Sequence, residues 1–457
     1  MSMNGQTAYV CELAWLPTGE LGSEVVVEVD DGRFVRVEPG GRPPDGASRL
    51  TGLTLPGFAN AHSHAFHRAL RGRTHHGHGS FWSWRELMYA VADRLDPDRY
   101  LRLARAVFAE MALAGFSSVG EFHYLHHDRD GTAYADANEM GEALIAAARD
   151  AGLRITLLDT CYLTGGFGEE LSGVQRRFGD HDADAWADRA DALRTRHASE
   201  GDVVIGAAVH SLRAVPRGQV PVVAAWAEEH GAPLHVHVSE QPAENEACLA
   251  TYGLTPTGLL AEAGALGPRT TAVHATHLTG EDVATLGTTG THVCLCPTTE
   301  RDLADGVGDA VQLVAAGARL TLGTDSHAIV DALEEARAVE LDLRLVTGER
   351  GHLATSTLLE ALTATGQASL GFPDAGRLEV GARADLATVD LGSVRTAGGR
   401  AEEALDRVVF AAAASDVTDV LVDGREVVRH REHRLGDVGR LLEDAIGELD
   451  AEGEGTT

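Results

Sequence analysis

The sequence predicts an α/β protein with a (β/α)8 barrel of the TIM type and a small β-sandwich domain formed by its N- and C-terminal segments. Short apolar runs alternate eight times with amphipathic stretches between residues 53 and 370. Several of the amphipathic stretches end at a glycine, which is a usual residue just after the last turn of a helix. Both ends of the chain instead contain short alternating strands, separated by turns such as Asp31-Gly32.

The eight apolar runs are candidates for the parallel strands of the barrel. They cover residues 53–64, 116–124, 153–161, 202–211, 233–240, 270–276, 291–297 and 319–325. The helical patterns between them include 97–115, 184–198 and 309–318, with stops at Gly115, Gly152, Gly231 and Gly317. Eight such units fit a barrel, whose usual size is about 250 residues before insertions. A doubly wound open sheet is the alternative, but it favours a glycine-rich first turn, which the run "GFANAHSH" does not provide.

These patterns divide the 457 residues into three parts. Residues 1–56 and 371–435 are expected to form one composite β-domain, because their short strands and glycine turns are alike. Residues 57–370 form the barrel that interrupts this domain. Residues 436–457 form a C-terminal helix followed by a disordered acidic tail.

The charge of the chain excludes several classes of partner. Asp and Glu outnumber Lys and Arg by 69 to 38, and the formal net charge of −31 repels nucleic acid and anionic membrane surfaces. The sequence contains no lysine, which excludes Schiff-base chemistry, a phosphate-loop lysine and a carbamylated-lysine metal bridge. An anionic substrate would therefore need arginine or histidine as its cationic partner.

Cysteine content and hydropathy predict a cytoplasmic protein with no membrane partner. The chain has five cysteines, an odd number that favours reduced thiols over a disulfide framework. The N-terminal run "MSMNGQTAYVCELAWLP" has no basic start and no long apolar segment, so no signal peptide is expected. No run of about 18 uninterrupted apolar residues is present to span a membrane.

Histidine and acidic residues collect where the predicted strands end, which is the face that carries the active site in barrels of this type. His62 and His64 project to the same side of the first strand, because strand side chains repeat every two residues. With His237 on the fifth strand and Asp325 after the eighth, they provide three imidazoles and one carboxylate. This set suits one divalent cation, Zn²⁺ first, with Fe²⁺ and Mn²⁺ as alternatives. His235 is the rival of His237, since both face the same way, but His237 lies nearer the carboxyl end of the strand.

Other strand ends carry groups suited to acid–base chemistry. Glu240 follows the fifth strand, and His274 ends the sixth, with His277 in the following loop as its rival. Glu121 and His123 end the second strand in the same way. Packing alone does not explain this pattern, because each such group costs free energy when it is buried without a partner.

The set "HSH…HVHVSE…VHATH…GTDSH" resembles the amidohydrolase superfamily, and in particular the mononuclear branch whose members deaminate C=N carbons. The resemblance covers nearly the whole chain. The absence of lysine agrees with it, because the binuclear branches commonly use a bridging carbamylated lysine. The runs "HSHAFHRAL", "FWSWRELMY", "GEFHYLHHD", "VHSLRAV" and "CPTTERDLADG" further resemble the formimidoylglutamate deiminases of histidine degradation. One position departs from that family, which commonly has Gln where this chain has His67.

The resemblance implies a hydrolase that converts N-formimidoyl-L-glutamate to N-formyl-L-glutamate and ammonia, with one divalent ion per chain in a homodimer. Zinc lowers the pKa of a bound water to about 7. Asp325 would accept a proton from that water, His274 would orient it, and Glu240 would protonate the imino nitrogen and then the leaving ammonia. The alternative role for Glu240 is to orient His237.

The same resemblance assigns Arg85, Tyr124, His210 and Arg213 to substrate binding, and His67 joins them because it stands at the position of the family's Gln. A substrate with two carboxylates needs local cations in a protein this acidic. Arg85, after the first strand, and Arg213, just past the fourth, are suited to this, because a guanidinium can hold a carboxylate through two parallel hydrogen bonds. A surface ion pair or an aromatic stack is the alternative role for Arg85.

Two other functions fit parts of the pattern. An amidohydrolase-type deaminase of a nucleobase-like or other amidine or guanidine substrate would use the same metal site, with aromatic stacking surfaces in place of paired arginines. A non-catalytic assembly protein would keep the barrel and show gaps among the ligands, and no gap is visible in this sequence.

Overall fold

The computed structural model describes residues 7–74 and 81–454 of the chain. The strands of this part belong to two sheets of eight. In chain order they are β1 (Thr7–Trp15), β2 (Leu21–Asp30), β3 (Arg33–Pro39), β4 (Ser48–Pro56), β5 (Phe58–Ser63), β6 (Phe116–His123), β7 (Arg154–Cys161), β8 (Val203–Val209), β9 (Leu234–Val238), β10 (Thr270–His274), β11 (His292–Leu295), β12 (Arg319–Leu322), β13 (Leu386–Val389), β14 (Val417–Val422), β15 (Arg425–Arg429) and β16 (Glu432–His433).

Strands β5 to β12 pair in parallel and in chain order. A parallel bridge between Ser63 and Asp325 brings the end of β12 back to β5, so the sheet is a nearly closed barrel. The strands are buried along almost their whole length, as expected for parallel strands that are covered on both faces. This arrangement confirms the predicted (β/α)8 barrel.

The remaining strands confirm that the two ends of the chain meet in a separate sheet. Its order is β16-β15-β14-β13-β4-β1-β2-β3, so β13 from the C-terminal segment lies against β4 from the N-terminal one. Two Asp-Gly turns close hairpins in this sheet. Asp31 and Gly32 have φ values of 47° and 74°, and Asp423 and Gly424 have 46° and 71°. These left-handed pairs are typical of tight two-residue hairpin turns.

The predicted strand at 53–64 is wrong as a single element. It consists of β4, which belongs to the terminal sheet, and β5, which opens the barrel, with Gly57 between them. A Cβ atom at Gly57 would lie 2.6 Å from the Ser117 Oγ, so only glycine fits where the chain passes from one sheet to the other. The apolar run is continuous because both strands are buried, and this hides the break from the sequence pattern.

Helices cover the outside of the barrel and the C-terminal end of the chain. They are α1 (Phe81–Arg94), α2 (Pro97–Leu113), α3 (Glu139–Ala151), α4 (Ala183–His197), α5 (Val220–His230), α6 (Pro242–Tyr252), α7 (Pro256–Glu262), α8 (Gly280–Thr289), α9 (Pro297–Leu303), α10 (Ala310–Ala316), α11 (Ala332–Thr347), α12 (Thr355–Leu362), α13 (Ala364–Ser369), α14 (Ala404–Ala411) and α15 (Val438–Glu454). The predicted stops at Gly152, Gly231 and Gly317 follow α3, α5 and α10 in the left-handed conformation. Helix α2 ends at Leu113, two residues before the predicted Gly115. Helix α15 is the predicted C-terminal helix, and residues 455–457 of the predicted tail lie outside the described part.

Within residues 7–74 and 81–454, no helix combines the length and the apolar character needed to cross a membrane.

Candidate active site

Four side chains converge at the carboxyl end of the barrel strands. His62 comes from β5, His64 follows the end of that strand, His237 comes from β9, and Asp325 from the segment after β12. The His237 Nε2 lies 3.1 Å from the His62 Nε2 and 3.3 Å from the His64 Nε2. The Asp325 Oδ1 lies 3.3 Å and 3.4 Å from the same two atoms of His62 and His64. All four groups are buried.

These distances fit a bound divalent cation. Four ligand atoms at roughly 2.0–2.1 Å from a tetrahedral Zn²⁺ lie about 3.3 Å from one another, which matches the observed separations. The His64 Nδ1 lies 3.0 Å from the Phe122 carbonyl and the His237 Nδ1 lies 2.8 Å from the His210 carbonyl. Each Nδ1 therefore donates a proton outward, and each Nε2 turns a lone pair towards the centre of the cluster. The four side chains can hold a metal ion.

The rival His235 lies deeper in the barrel. Its Nε2 is 3.4 Å from the Ser369 carbonyl, and it is not part of the four-residue cluster. The side chains of His235 and His237 therefore face the same way, and they differ in their distance from the carboxyl end of β9.

His274 and Glu240 lie beside the cluster. The His274 Nε2 is 3.8 Å from the Glu240 Oε1 and 3.9 Å from the Asp325 Oδ2, and its Nδ1 is 3.4 Å from the Glu300 Oε1. Burial lowers the pKa of His274, but the carboxylates of Glu240 and Glu300 outweigh burial and hold that pKa well above its usual value. Burial raises the pKa of Glu240 itself. The rival His277 is directed elsewhere, since its Nε2 lies 2.7 Å from the Asp305 carbonyl.

Sequence reasoning missed two acidic side chains at this site, Glu300 and Asp305. Both belong to the run "CPTTERDLADG" after β11, where only the resemblance, and no strand-end position, marked them. Glu300 contacts His274, while Asp305 has a ligand atom within 4.8 Å of ligand atoms of Glu240 and His274. Burial and the nearby Glu240 raise the pKa of Asp305 to about 8.

The backbone at these strand ends is strained. Ser239, His274, Ala275 and Asp325 have φ values of 52°, 68°, 51° and 41°, which side chains with a Cβ rarely adopt. Such strain persists where the surrounding structure imposes it, and it is concentrated at functional sites. Here it turns the chain sharply after β9, β10 and β12, so that side chains leaving parallel strands point to a common centre.

A cleft opens above the cluster. All five predicted substrate-binding residues line it, namely His67, Arg85, Tyr124, His210 and Arg213. The structure also places His64, His237, Glu240, His274 and Asp325 on its walls. The remaining lining is partly aromatic, with Trp84, Tyr89, Tyr162 and Phe178. A concave site with convergent polar groups and an aromatic lining is typical of small-molecule binding.

Polar contacts order several of the cleft side chains. The Arg85 Nε donates to the Tyr89 hydroxyl over 2.6 Å, and the guanidinium lies 5.1 Å from the centre of the Tyr89 ring. The His67 Nε2 and the Tyr124 hydroxyl are 3.0 Å apart. Burial lowers the pKa of His67 to about 3, so that this ring is neutral.

Glu121 and His123 end a strand but do not line the cleft. Phe122, between them, faces the barrel interior, with its ring centre 4.3 Å from that of His237. Its two neighbours therefore point to the opposite side of β6. There the backbone N–H of Ala65 donates to Glu121 over 2.7 Å, and the His123 Nε2 lies 3.3 Å from the His126 Nδ1.

Comparison with known proteins shows the family to which the chain belongs. The amidohydrolase family matches residues 53–427. Formimidoylglutamate deiminase of Pseudomonas aeruginosa is 38% identical over 97% of this chain and 99% of its own length. The 8-oxoguanine deaminase of the same organism is 30% identical, over 88% of this chain and 92% of its own length.

Solved structures show the same architecture. An amidohydrolase from Brucella melitensis superimposes with a TM-score of 0.90 at 34% sequence identity, over 97% of this chain and 99% of its own. The barrel, the terminal sheet and the His/Asp cluster therefore occur together with a family match over most of the sequence. The chain is a hydrolase that belongs to the amidohydrolase family.

Proposed function

We propose that the protein deaminates N-formimidoyl-L-glutamate by hydrolysis, giving N-formyl-L-glutamate and ammonia, as a step of histidine degradation. The observation that carries this proposal is that two arginines, Arg85 and Arg213, line the cleft above the His/Asp cluster. The 38% identity to a formimidoylglutamate deiminase over nearly the full length supports the same substrate.

The metal ligands in this proposal are His62, His64, His237 and Asp325, and the ion is one Zn²⁺ per chain. Three imidazoles and a carboxylate are a common ligand set for zinc in hydrolases. When bound, the ion supplies Lewis acidity and lowers the pKa of a water molecule to about 7. The assignment of a cytoplasmic homodimer remains an expectation, based on cysteine content and family resemblance.

In this proposal, different side chains around the cluster accept and donate the protons of the reaction. The Asp325 Oδ1 faces His62 and His64, which leaves Oδ2, on the His274 side, to accept a proton from the attacking water. His274 orients that water. Glu240, whose pKa burial raises, donates to the imino nitrogen. The water oxygen bonds to the formimidoyl carbon, the C–N bond to the imino nitrogen breaks, and both protons of the water leave on ammonia.

The arginines account for the choice of a dicarboxylate. The chain has a formal charge of −31, so a doubly anionic substrate is repelled by the protein as a whole. Guanidinium groups in the cleft reverse the local field, and each can hold a carboxylate through charge-assisted hydrogen bonds. Tyr124 and His210 complete the contacts on the adjacent wall.

A comparison of substrates tests the proposal directly. Ammonia release is measured with N-formimidoyl-L-glutamate and with guanine, cytosine and adenosine derivatives. We expect kcat/KM for the formimidoyl amino acid to exceed the others by orders of magnitude. A higher value for any of the heterocycles would overturn the substrate assignment and leave the metal site untouched.

Two arginine variants test the carboxylate contacts. We expect Arg85→Ala and Arg213→Ala each to lower kcat/KM by about 10- to 100-fold, because each removes charge-assisted hydrogen bonds. Arg217→Ala is the control, since Arg217 is paired with Glu262 away from the cleft and its loss should leave kcat/KM unchanged. Values for both cleft variants within twofold of the parent would refute the clamp.

A nucleobase deaminase is the second candidate, and the aromatic lining favours it. Trp84, Tyr89, Tyr124, Tyr162 and Phe178 provide surfaces on which a heterocycle could stack. The 30% identity to an 8-oxoguanine deaminase points in the same direction. The substrate comparison above separates the two candidates.

A further inference from the structure

A second group of potential ligands lies on the wall of the cleft next to the His/Asp cluster. It consists of Glu240, His274 and Asp305, each buried, with one ligand atom apiece within 4.8 Å of the others. Glu240 follows β9, His274 is the last residue of β10, and Asp305 follows α9, the helix after β11. The His274 Nε2 lies 3.9 Å from the Asp325 Oδ2 of the first cluster.

This second group has an excess of negative charge. Around the His274 ring stand three carboxyl groups besides Asp325, namely Glu240, Glu300 and Asp305. Glu300 is engaged, because its Oε1 accepts from the backbone N–H of Cys296 over 2.8 Å and faces the His274 Nδ1.

Only one of the two carboxylate oxygens of Asp305 accepts a hydrogen bond from the residues the structure describes. The side-chain amide of Gln241 donates to its Oδ1, but its Oδ2 is buried and has no hydrogen-bond partner among the residues the structure describes. A buried carboxylate without a partner is costly, so either a proton or a cation must offset it.

We propose that Glu240, His274 and Asp305 form a second, weaker divalent-cation site, which binds Zn²⁺ when zinc is in excess and inhibits the enzyme. The inhibition rests on the proposed function, in which Glu240 donates the proton and His274 orients the water. An ion held by these two side chains takes the Glu240 oxygen and the His274 Nε2 away from the substrate. Glu240 and His274 line the cleft, so zinc reaches them by the path the substrate uses.

The geometry explains why this site is the weaker one. It offers three ligands against four, and the His274 Nε2 and Glu240 Oε1 are 3.8 Å apart, compared with 3.1–3.4 Å between neighbouring ligand atoms of the first cluster. The side chains must therefore move inward to bind an ion. The ion must also displace a proton from Asp305, whose pKa of about 8 keeps it largely protonated at neutral pH. One imidazole and two carboxylates suit zinc.

Zinc titration of the holoenzyme tests the proposal. Zinc bound per chain is measured by equilibrium dialysis and elemental analysis, in parallel with the rate of ammonia release. We expect one tightly held ion, then a second that binds at higher zinc concentration, with activity falling over the same range. Asp305→Asn should weaken binding of the second ion at least tenfold and leave the first unchanged.

Two more variants keep the test decisive. Glu240→Gln removes another of the three ligands and is measured for binding alone, so it replaces Asp305→Asn if that variant does not fold. Glu169→Gln is the matched control, because Glu169 lies at the mouth of the cleft outside the group of three, and it should bind the second ion like the parent. A parent that binds only one ion up to millimolar zinc, or an unchanged second affinity in both ligand variants, would overturn the inference. Absence of the first, tightly held ion would instead refute the proposed function.

Discussion

The ring nitrogens that face away from the His/Asp cluster prepare its histidines as ligands. Backbone carbonyls of Phe122 and His210 accept from the Nδ1 atoms of His64 and His237, which leaves each Nε2 as an acceptor. Two acceptors 3.3 Å apart repel each other unless a cation or a proton lies between them. A cation among these nitrogens would offset that repulsion, so the arrangement suits a metal ion.

Glu240 is predicted to serve proton transfer and not to hold the tightly bound metal ion. Glu240→Gln keeps the shape of the side chain but removes the acid, so kcat should fall by roughly 10²- to 10⁴-fold while the tightly held metal remains at about one ion per chain. Steady-state kinetics and elemental analysis check the two parts. Glu169→Gln, at the mouth of the cleft, should retain the parent kcat. Loss of the tightly bound metal from Glu240→Gln would instead support the alternative role of orienting His237.

His67 is predicted to act through a neutral hydrogen bond to Tyr124. Its Nε2 lies 3.0 Å from the Tyr124 hydroxyl, and Gln can make a similar bond where Leu cannot. His67→Gln should therefore keep KM within about threefold of the parent, while His67→Leu should raise KM about tenfold, as expected for one lost hydrogen bond. Similar KM values for the two variants would show that the bond does not matter for substrate binding.

At the scale of elements, the junction between the first and last barrel strands sets the position of Asp325. The backbone N–H groups of Thr324 and Asp325 both donate to the His62 carbonyl, over 3.1 Å and 3.0 Å. A Cβ atom at Gly323 would lie 2.7 Å from the His62 Cβ, so glycine is required for this approach. The residues of the His/Asp cluster at the end of β5 and after β12 are thus held together by main-chain contacts.

A buried ion pair joins the barrel to the terminal sheet. Arg154, at the start of β7, donates through both terminal nitrogens to Asp385, just before β13, and also contacts Asp423 at 3.1 Å. The Arg154 and Asp385 side chains are 1% and 0% exposed, so neither can find water if the other is removed.

Removal of that arginine is predicted to destabilise the protein strongly. Arg154→Met leaves Asp385 buried without its cation and should lower the free energy of unfolding by about 3–5 kcal/mol. Denaturant unfolding measures the change. Arg102→Met is the control, because the pair that Arg102 forms with Glu448 is exposed and should contribute less than about 1 kcal/mol. Equal effects of the two substitutions would contradict a special role for the buried pair.

For the molecule as a whole, buried neutral histidines limit stability in acid. Burial lowers the pKa of His235 to about 3 and those of His292 and His433 to about 4. The unfolded chain, with a histidine pKa of about 6.5, binds these protons first as the pH falls. Their contribution to stability is therefore fully present above pH 6.5 and is lost as the pH falls towards about 4.

His433 offers a measurable case. Its Nε2 is 3.0 Å from the Ala151 carbonyl, and its Nδ1 accepts from the backbone N–H of Leu435 over 3.0 Å, so protonation breaks the second bond. Between pH 7.5 and pH 5 the parent should lose on the order of 2 kcal/mol more stability than His433→Gln. Unfolding curves of both proteins at the two pH values check this, and groups common to both cancel. Parallel losses would show that His433 does not titrate on unfolding.

Sequence patterns alone predict the barrel, the meeting of the two ends in one sheet, and a short set of candidate ligands. Local patterns suffice for these features, because burial repeats along each strand and residues two apart share a face. The family match and the strand order confirm the fold, and the assignment of catalytic, substrate-binding and metal-binding roles stays a prediction.

Which of these candidates meet depends on contacts between distant segments of the chain. His235 and His237 face the same way but lie at different depths along β9. The alternation of side chains along a strand predicts the face on which a residue lies, but not which of two residues on that face reaches the site. Glu300 lies in α9 and Asp305 just after it, and both reach the site because the segment after β11 folds back towards His274. Such a long-range contact leaves no periodic pattern in the sequence. The sequence pattern also does not reveal the break between β4 and β5 at Gly57. Both strands are buried, each in a different sheet, so together they produce one uninterrupted apolar run. Local sequence patterns indicate whether a residue is buried. The composition of a site depends on which distant segments of the chain pack against that residue.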